Sequence, residues 1–240
     1  MMGAPATILL WKDPAKNQAP APELCCYLLP GKMKRPAVLV IPGGGYGGVC
    51  EATEGEPIAR KFNELGFHAF VLHYRVAPHR FPEPQEDVFR AIRLIRANAG
   101  KWCVIPDQLA VCGFSAGGHL AASAGTLYDE IHADAGDEAD SQEMRPNALI
   151  LCYPVISFTD FPHLGSGKNL LGERFEECRE RYSLEKRVSE KMPPAFLWHT
   201  AEDQTVPWQN SVLMAEALYE KKNLNPERRA LLNSLAKTMK

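Results

Sequence analysis

Ser115 sits between Gly113 and Gly117 in a G-x-S-x-G arrangement, within Val111-Cys112-Gly113-Phe114-Ser115-Ala116-Gly117-Gly118-His119. Leu109 to Cys112 reads as the end of a buried strand, and Leu120-Ala121-Ala122 opens a helical pattern. A serine on so sharp a strand-to-helix turn has its Oγ exposed beside the first amides of the helix. The chemistry is that of a nucleophile. A glycine-rich turn that merely contains serine is the bland alternative, and short motifs recur by chance. The rest of the apparatus decides between them.

A second candidate follows the run Ala37-Val38-Leu39-Val40-Ile41, the pattern of a strand buried on both faces. It leads into Pro42-Gly43-Gly44-Gly45-Tyr46-Gly47-Gly48, with five glycines at positions 43 to 48. Such backbone must approach something closely or adopt positive φ. A phosphate-cradling loop would end in Gly-Lys-Ser/Thr or open directly into a helix as G-x-G-x-x-G, and neither is present. An oxyanion loop, its amides turned to the nucleophile, fits better.

The elements that must hold these residues alternate. Strands are expected at Leu24 to Leu29, Phe67 to Tyr74, Asn147 to Tyr153 and Ala195 to His199. Helices are expected at Glu54 to Leu65, stopped by Gly66, at Pro84 to Ala99, after Ser115, and from Trp208 to about Lys222. Pro106-Asp107 is expected to turn into the strand that ends at Ser115. The alternation implies an α/β fold with a mostly parallel sheet covered on both faces and ligands at the carboxyl ends of the strands. Ser115, the Gly43–Gly48 loop and Asp203 all fall at such ends.

At 240 residues the chain fits one sizeable domain. Residues 1–23, rich in alanine and proline, are read as an extended arm, and 24–222 as the domain, with 154–192 a cap-like insertion. Asp129 to Glu143, with seven acidic residues, lacks calcium-loop spacing and is read as a solvated surface loop. His68 and His73 lie five apart in a strand, on opposite faces, and share no metal site. The seven cysteines include no C-x-x-C pair and are read as mostly buried thiols in a reducing cytoplasm. A net charge of −2 gives no electrostatic case for nucleic acid or an anionic membrane. The apolar stretch Ile8 to Trp11 is too short for a signal core or a membrane span, so the expected location is cytoplasmic.

Taken together, Pro42-Gly43-Gly44-Gly45-Tyr46, Tyr74-Arg75-Val76-Ala77-Pro78, Gly113 to Ala121, Tyr153-Pro154-Val155-Ile156, and His199-Thr200-Ala201-Glu202-Asp203 with Val206-Pro207 resemble the α/β-hydrolase superfamily. Within it, the chain is similar to acetyl-xylan-esterase-like and hormone-sensitive-lipase-like small esterases, from about Ile8 to Lys222. The resemblance implies Ser115 as nucleophile, Asp203 as the acid that orients a histidine, and the amides of Gly44, Gly45 and Ala116 as oxyanion hole. It implies no cofactor and no metal, and a small ester or acetylated sugar as substrate. The implied activity is serine carboxylesterase on acetyl or other short acyl esters, including acetylated xylo-oligosaccharides. Many relatives have histidine where this chain has Pro42.

One part of the pattern has no counterpart. The family places its histidine after the acid, on a loop beyond one more strand, yet nothing from Asp203 to Lys240 is histidine. Asn223-Leu224-Asn225-Pro226 is instead followed by a helical stripe, Leu231, Leu232, Leu235 and Met239. The last strand of the fold is therefore expected to be absent, through a truncated or frame-shifted reading or a natural divergent terminus. His119 and His199 belong to the family's own motifs, while His79 and His163 are loop residues beside the pocket; none is taken as the base. Two readings stay open: a working esterase, and a hydrolase-fold protein that binds acyl or sugar ligands with little or no turnover. A sheet edge left open could pair with a second copy.

Overall fold

The computed structural model describes residues 5–17 and 20–221. At its centre the Ala37 to Ile41 run is buried and alternates between two cores. Ala37, Leu39 and Ile41 face one and Val38 and Val40 the other, as the two-residue period of a strand requires. Neighbouring strands repeat the division, with Phe70, Leu72, Leu109 and Val111 on the first face. Ala69, Val71, Cys112 and Phe114 lie on the second.

In chain order the elements are β1 (Ala6–Leu9), β2 (Glu23–Tyr27), β3 (Arg35–Ile41), α1 (Glu51–Glu54), α2 (Glu56–Glu64), β4 (His68–His73), α3 (Glu83–Ala97) and α4 (Ala99–Trp102). They continue with β5 (Val104–Phe114), α5 (Ser115–Thr126), β6 (Ala148–Cys152), α6 (Leu164–Leu171), α7 (Phe175–Cys178), β7 (Ala195–Trp198) and α8 (Gln209–Lys221). The seven strands form one sheet in the order β1-β2-β4-β3-β5-β6-β7. β1 and β2, and β2 and β4, pair antiparallel. From β4 through β7 all pairings are parallel. Val88, Ala91, Ile92 and Ile95 of α3 and Leu120, Ala121 and Ala124 of α5 pack on the first face. Ile58, Ala59 and Phe62 of α2 pack on the second. This is the α/β-hydrolase architecture, and it puts the carboxyl ends of β3, β5, β6 and β7 along one edge. No helix among the described residues is long and apolar enough to cross a membrane.

Four local expectations change. Pro106 and Asp107 do not precede β5 but lie inside it. Arg35 pairs with Val104 and Ala37 with Leu109, so the extra residues bulge out between two paired stretches of one strand. The helix expected from Glu54 is two helices broken at Gly55. There the Glu51 carboxylate folds back to accept the Glu56 N–H at 3.1 Å. The proline-rich arm carries β1 and then buries Leu10 and Trp11 against α3: Trp11 Nε1 donates to Asp87 Oδ1 at 2.7 Å, and Arg90 Nε donates to Leu10 O at 2.9 Å. The acidic stretch is not simply solvated. Asp137 receives both Arg90 Nη groups, at 2.9 and 2.6 Å, and Asp134 receives Arg93 Nη1 at 2.8 Å. Two buried arginines of α3 thus hold that loop, and the Arg90 bond keeps the Asp137 carboxyl well below the usual carboxylate range.

All seven cysteines are free thiols, and burial pushes Cys26 up to about 12. β7 is the outer strand of the described sheet, with Phe196 and Trp198 exposed. The helical tail expected over 223–240, and the strand expected to be absent there, lie outside the described residues.

Candidate active site

β5 passes into α5 with no linker, and the joint is Ser115 at φ +51, in the left-handed region. A non-glycine residue there costs about 1–2 kcal/mol and persists only where the surroundings hold it. They do so through close approach. A Cβ on Gly113 would lie 2.2 Å from Gly117 O, and one on Gly117 would lie 2.2 Å from Ile41 O and 2.4 Å from Pro42 O. The glycines let α5 descend onto the ends of β5 and β3, and this lifts the serine out of the sheet edge. Ser115 O in turn accepts the Val155 N–H at 3.0 Å.

Beside the serine lies the loop that follows β3, and the carbonyls of its first five residues are occupied. Pro42 O accepts Tyr74 Oη at 2.9 Å. Gly43 O accepts Cys50 N at 3.0 Å, Gly44 O accepts Gly47 N at 3.0 Å and Gly48 N at 3.1 Å, and Tyr46 O accepts Ala77 N at 2.8 Å. Gly45 O accepts Asn169 Nδ2 of α6 at 2.9 Å. Five successive carbonyls are therefore tethered to the protein. Among the described residues, the amides of Gly44 and Gly45 make no hydrogen bond within the protein. Gly44 at φ +126, Gly45 at φ +64 and Tyr46 at φ +57 turn the peptides to make this possible. Ala116, in the first turn of α5, has an N–H with no intrahelical acceptor. Open amides in a loop of fixed peptides suit a developing anion.

The loop after β7 presents Asp203. Its Oδ1 accepts the N–H groups of Thr205 at 2.8 Å and Val206 at 2.9 Å. Its Oδ2 lies 3.6 Å from His199 Nε2. His199 is already engaged: Nε2 donates to Val206 O at 2.9 Å, and Nδ1 pairs with Ser211 Oγ at 2.8 Å. His119 spends both nitrogens, on Tyr46 Oη at 2.9 Å and Tyr182 O at 3.1 Å, and burial pulls its imidazole down to about 4. It is a packed core histidine.

His163 lies beside the loop: its Cε1 is 4.0 Å from the position of a Cβ on Gly45. Nδ1 accepts the Ser166 N–H at 3.2 Å, so the neutral ring carries its proton on Nε2 and serves as a donor. Burial holds this imidazole below its ordinary value against the opposing charge of Asp203. His79 pairs with Glu83 at 2.6 Å and His73 with Glu51 at 2.9 Å, and His68 accepts the Leu29 N–H at 3.1 Å. Among the described residues no side chain is hydrogen-bonded to Ser115 Oγ, and no group of three or more His, Cys, Asp or Glu could hold a metal ion.

Sequence reasoning missed the supports. Tyr74 and Asn169 hold the loop, and Glu54 bridges it to Tyr153. Tyr74 and Tyr153 stood inside recognisable segments, but Glu54 and Asn169 carry no local signal.

Several known proteins are similar to this chain. The BD-FAE family model matches residues 26–218. The endo-1,4-beta-xylanase B of Butyrivibrio fibrisolvens is 42% identical over 208 residues, covering 84% of this chain and 32% of its own length. The acetylxylan esterase of Xylanibacter ruminicola is 32% identical over 190 residues, covering 77% of this chain and 37% of its own. This chain thus spans about a third of the length of these curated relatives. An acetyl ester-xyloside bifunctional hydrolase from Caldicellulosiruptor lactoaceticus superposes with a TM-score of 0.85 at 40% identity, over 92% of this chain and 84% of that one. A family match across most of the chain and a sheet with that topology agree: the chain belongs to the BD-FAE family of esterase-like α/β hydrolases.

Proposed function

We propose that this protein is a serine carboxylic-ester hydrolase acting on acetyl or other short acyl esters, among them acetylated xylo-oligosaccharides. Ser115 Oγ attacks the acyl carbon. The former carbonyl oxygen takes the negative charge and is met by the amides of Gly44, Gly45 and Ala116. Each such donor is worth on the order of 10²–10³ in rate. Collapse expels the alcohol, which carries off the proton that Ser115 Oγ gives up on attack, and water then hydrolyses the acyl-enzyme, returning a proton to Ser115 and releasing the carboxylic acid. Asp203 is the carboxylate member of the triad in this scheme, the residue that orients a histidine and not the donor of the leaving group's proton. The single observation that carries the reading is the left-handed Ser115 beside a loop in which five successive carbonyls are tethered while the amides of Gly44 and Gly45 stay open. The sugar half of the substrate rests on the names of the relatives. The substrate is a small molecule, with neither nucleic acid nor membrane as partner.

A second reading has its own observation. No histidine follows Asp203 in the sequence, and Ser115 Oγ has no hydrogen-bonded base among the described residues. A triad enzyme without its base keeps only about 10³–10⁴-fold catalysis over water, which would make this a ligand-binding hydrolase fold with residual turnover. Turnover of p-nitrophenyl acetate by the unmodified chain and by Ser115→Ala separates the two. A large loss in the variant supports the esterase, and equal rates sink it. A fluorophosphonate adds a check, since an unactivated serine reacts slowly or not at all.

A further inference from the structure

We infer that Glu54 is a positioning residue for the acyl-transfer site, its carboxylate clamping the oxyanion loop and the end of β6 together across the strand that carries Ser115. The inference rests on the acyl-enzyme reading above and adds to it. Glu54 closes α1. Its Oε2 accepts the Gly43 N–H at 2.6 Å, and its Oε1 accepts Tyr153 Oη at 2.8 Å. Both bonds go to a carboxylate, which makes them about twice as strong as neutral ones. Gly43 leads the loop after β3, and Tyr153 follows β6. In the sheet β5 lies between those two strands, so the carboxylate spans the end of β5 where Ser115 stands.

Gly43 is wedged against the elbow. A Cβ built there would lie 2.8 Å from Phe114 O and 3.0 Å from both Ser115 Cβ and Glu54 Oε2. The carboxylate oxygen and the serine Cβ are therefore at most about 6 Å apart, both against one glycine. The residue is held on its carbonyl side as well, where Gly43 O accepts Cys50 N at 3.0 Å. That carbonyl shares a peptide plane with the Gly44 N–H, and the tethered Gly44 O shares one with the Gly45 N–H, so holding Gly43 on both sides directs the two amides offered to the substrate. Tyr153 is anchored in turn: it sits at φ +37, its N–H donates to Trp198 O at 2.7 Å, and its ring lies 5.6 Å from that of Trp198.

A negative charge this close to a forming oxyanion would oppose it unless other groups share that charge. Two donors on one carboxylate do so, and they spend the Gly43 N–H on Glu54 while leaving Gly44 and Gly45 for the substrate oxygen. A plain structural pin would make the same bonds. The two roles differ in what a substitution moves.

The test compares Glu54→Gln, Glu54→Ala and Tyr153→Phe with the unmodified chain. It follows p-nitrophenyl acetate kinetics, the rate of fluorophosphonate labelling, and urea unfolding. Glu54→Gln keeps both partners only as neutral bonds, its Nε2–H donating to Tyr153 Oη, and Tyr153→Phe removes one bond, so each should lower kcat about tenfold, the factor of one hydrogen bond. Glu54→Ala frees the loop and should lower kcat about 10²-fold, the effect of misplacing a site by about 1 Å. KM should stay within about threefold, labelling should slow in step with kcat, and Glu54→Gln should keep the unmodified unfolding midpoint. Unchanged kcat and labelling in Glu54→Gln and Tyr153→Phe, with an active unmodified chain, overturn this inference alone. So does a rise in KM at constant kcat. An unmodified chain that neither turns over nor labels overturns the acyl-enzyme reading and this inference with it.

Discussion

Replacing Gly117 by alanine probes the contact on which the whole site depends. The added Cβ would stand 2.2 Å from Ile41 O, where such contacts need 3.0 Å, so about 0.8 Å must be made up by backbone. Little can yield cheaply. Ile41 is paired with Gly113 in the sheet, and Pro42 O, 2.4 Å from the same Cβ, is held by Tyr74. The displacement falls on the first turn of α5, which carries Ser115 and Ala116, or on the loop that carries Gly44 and Gly45. Either way the serine and the amides separate by nearly 1 Å. A misplacement of that size costs about 10²-fold in rate, and overpacking costs about 1–3 kcal/mol in stability. The assay is kcat/KM for p-nitrophenyl acetate with the fluorophosphonate labelling rate, beside a urea midpoint. Gly100→Ala, in α4 with nothing within 4 Å of the added Cβ, is the control and should leave activity unchanged. Gly117→Ala with kcat/KM within twofold and an unmoved midpoint would refute the reasoning, because the close approach would then not be what the glycine provides.

Two further outcomes follow from buried groups. Asp87, with no exposed surface, accepts Arg75 N at 2.8 Å, Arg75 Nη2 at 2.8 Å and Trp11 Nε1 at 2.7 Å, so Asp87→Ala takes from the buried guanidinium its nearest carboxylate, leaves it Glu86 at 3.2 Å, and should cost about 3 kcal/mol. Urea unfolding followed by tryptophan fluorescence checks it, and a loss below about 1 kcal/mol would contradict it. His119 is held neutral down to about 4, against 6.5 in an unfolded chain, so the unfolded state binds the extra proton between those values. Its contribution to stability is complete above pH 6.5, declines as pH falls and is exhausted near pH 4, with a total of order 3 kcal/mol. Asp137 works in a separate, more acidic window: its carboxyl lies below the usual range, so its contribution is present above about pH 4 and lost only below it. Denaturation curves from pH 4 to 7 should show the slope in the unmodified chain and a flatter one in His119→Gln.

What the sequence disclosed was local. The glycine spacing around Ser115 predicted a strand-to-helix elbow because only glycine fits where a Cβ would stand 2.2 Å from a backbone oxygen. The β-branched run before Pro42 predicted a doubly buried strand, and β3 is one. Contacts between distant segments were not legible. Arg90 meets Asp137 47 residues away, so an acidic stretch that looks solvated by composition is in fact clamped. The alanine- and proline-rich arm gave no hint that Trp11 would reach Asp87, 76 residues on. Pro106 looked like a turn because proline ends most strands, yet a bulge absorbs it inside β5. Glu54 showed nothing at all. Its importance lies in two donors from loops that meet only when β3, β5 and β6 are aligned.

The proposed mechanism requires that Ser115 become acylated. Intact-mass spectrometry of the chain quenched during turnover of p-nitrophenyl acetate detects that adduct, followed by peptide mapping and by the same experiment on Ser115→Ala. One acyl group is expected on the unmodified chain, mapped to Ser115, and none on the variant. Hydrolysis at equal rates by both chains, or an adduct mapped to another residue, would contradict it.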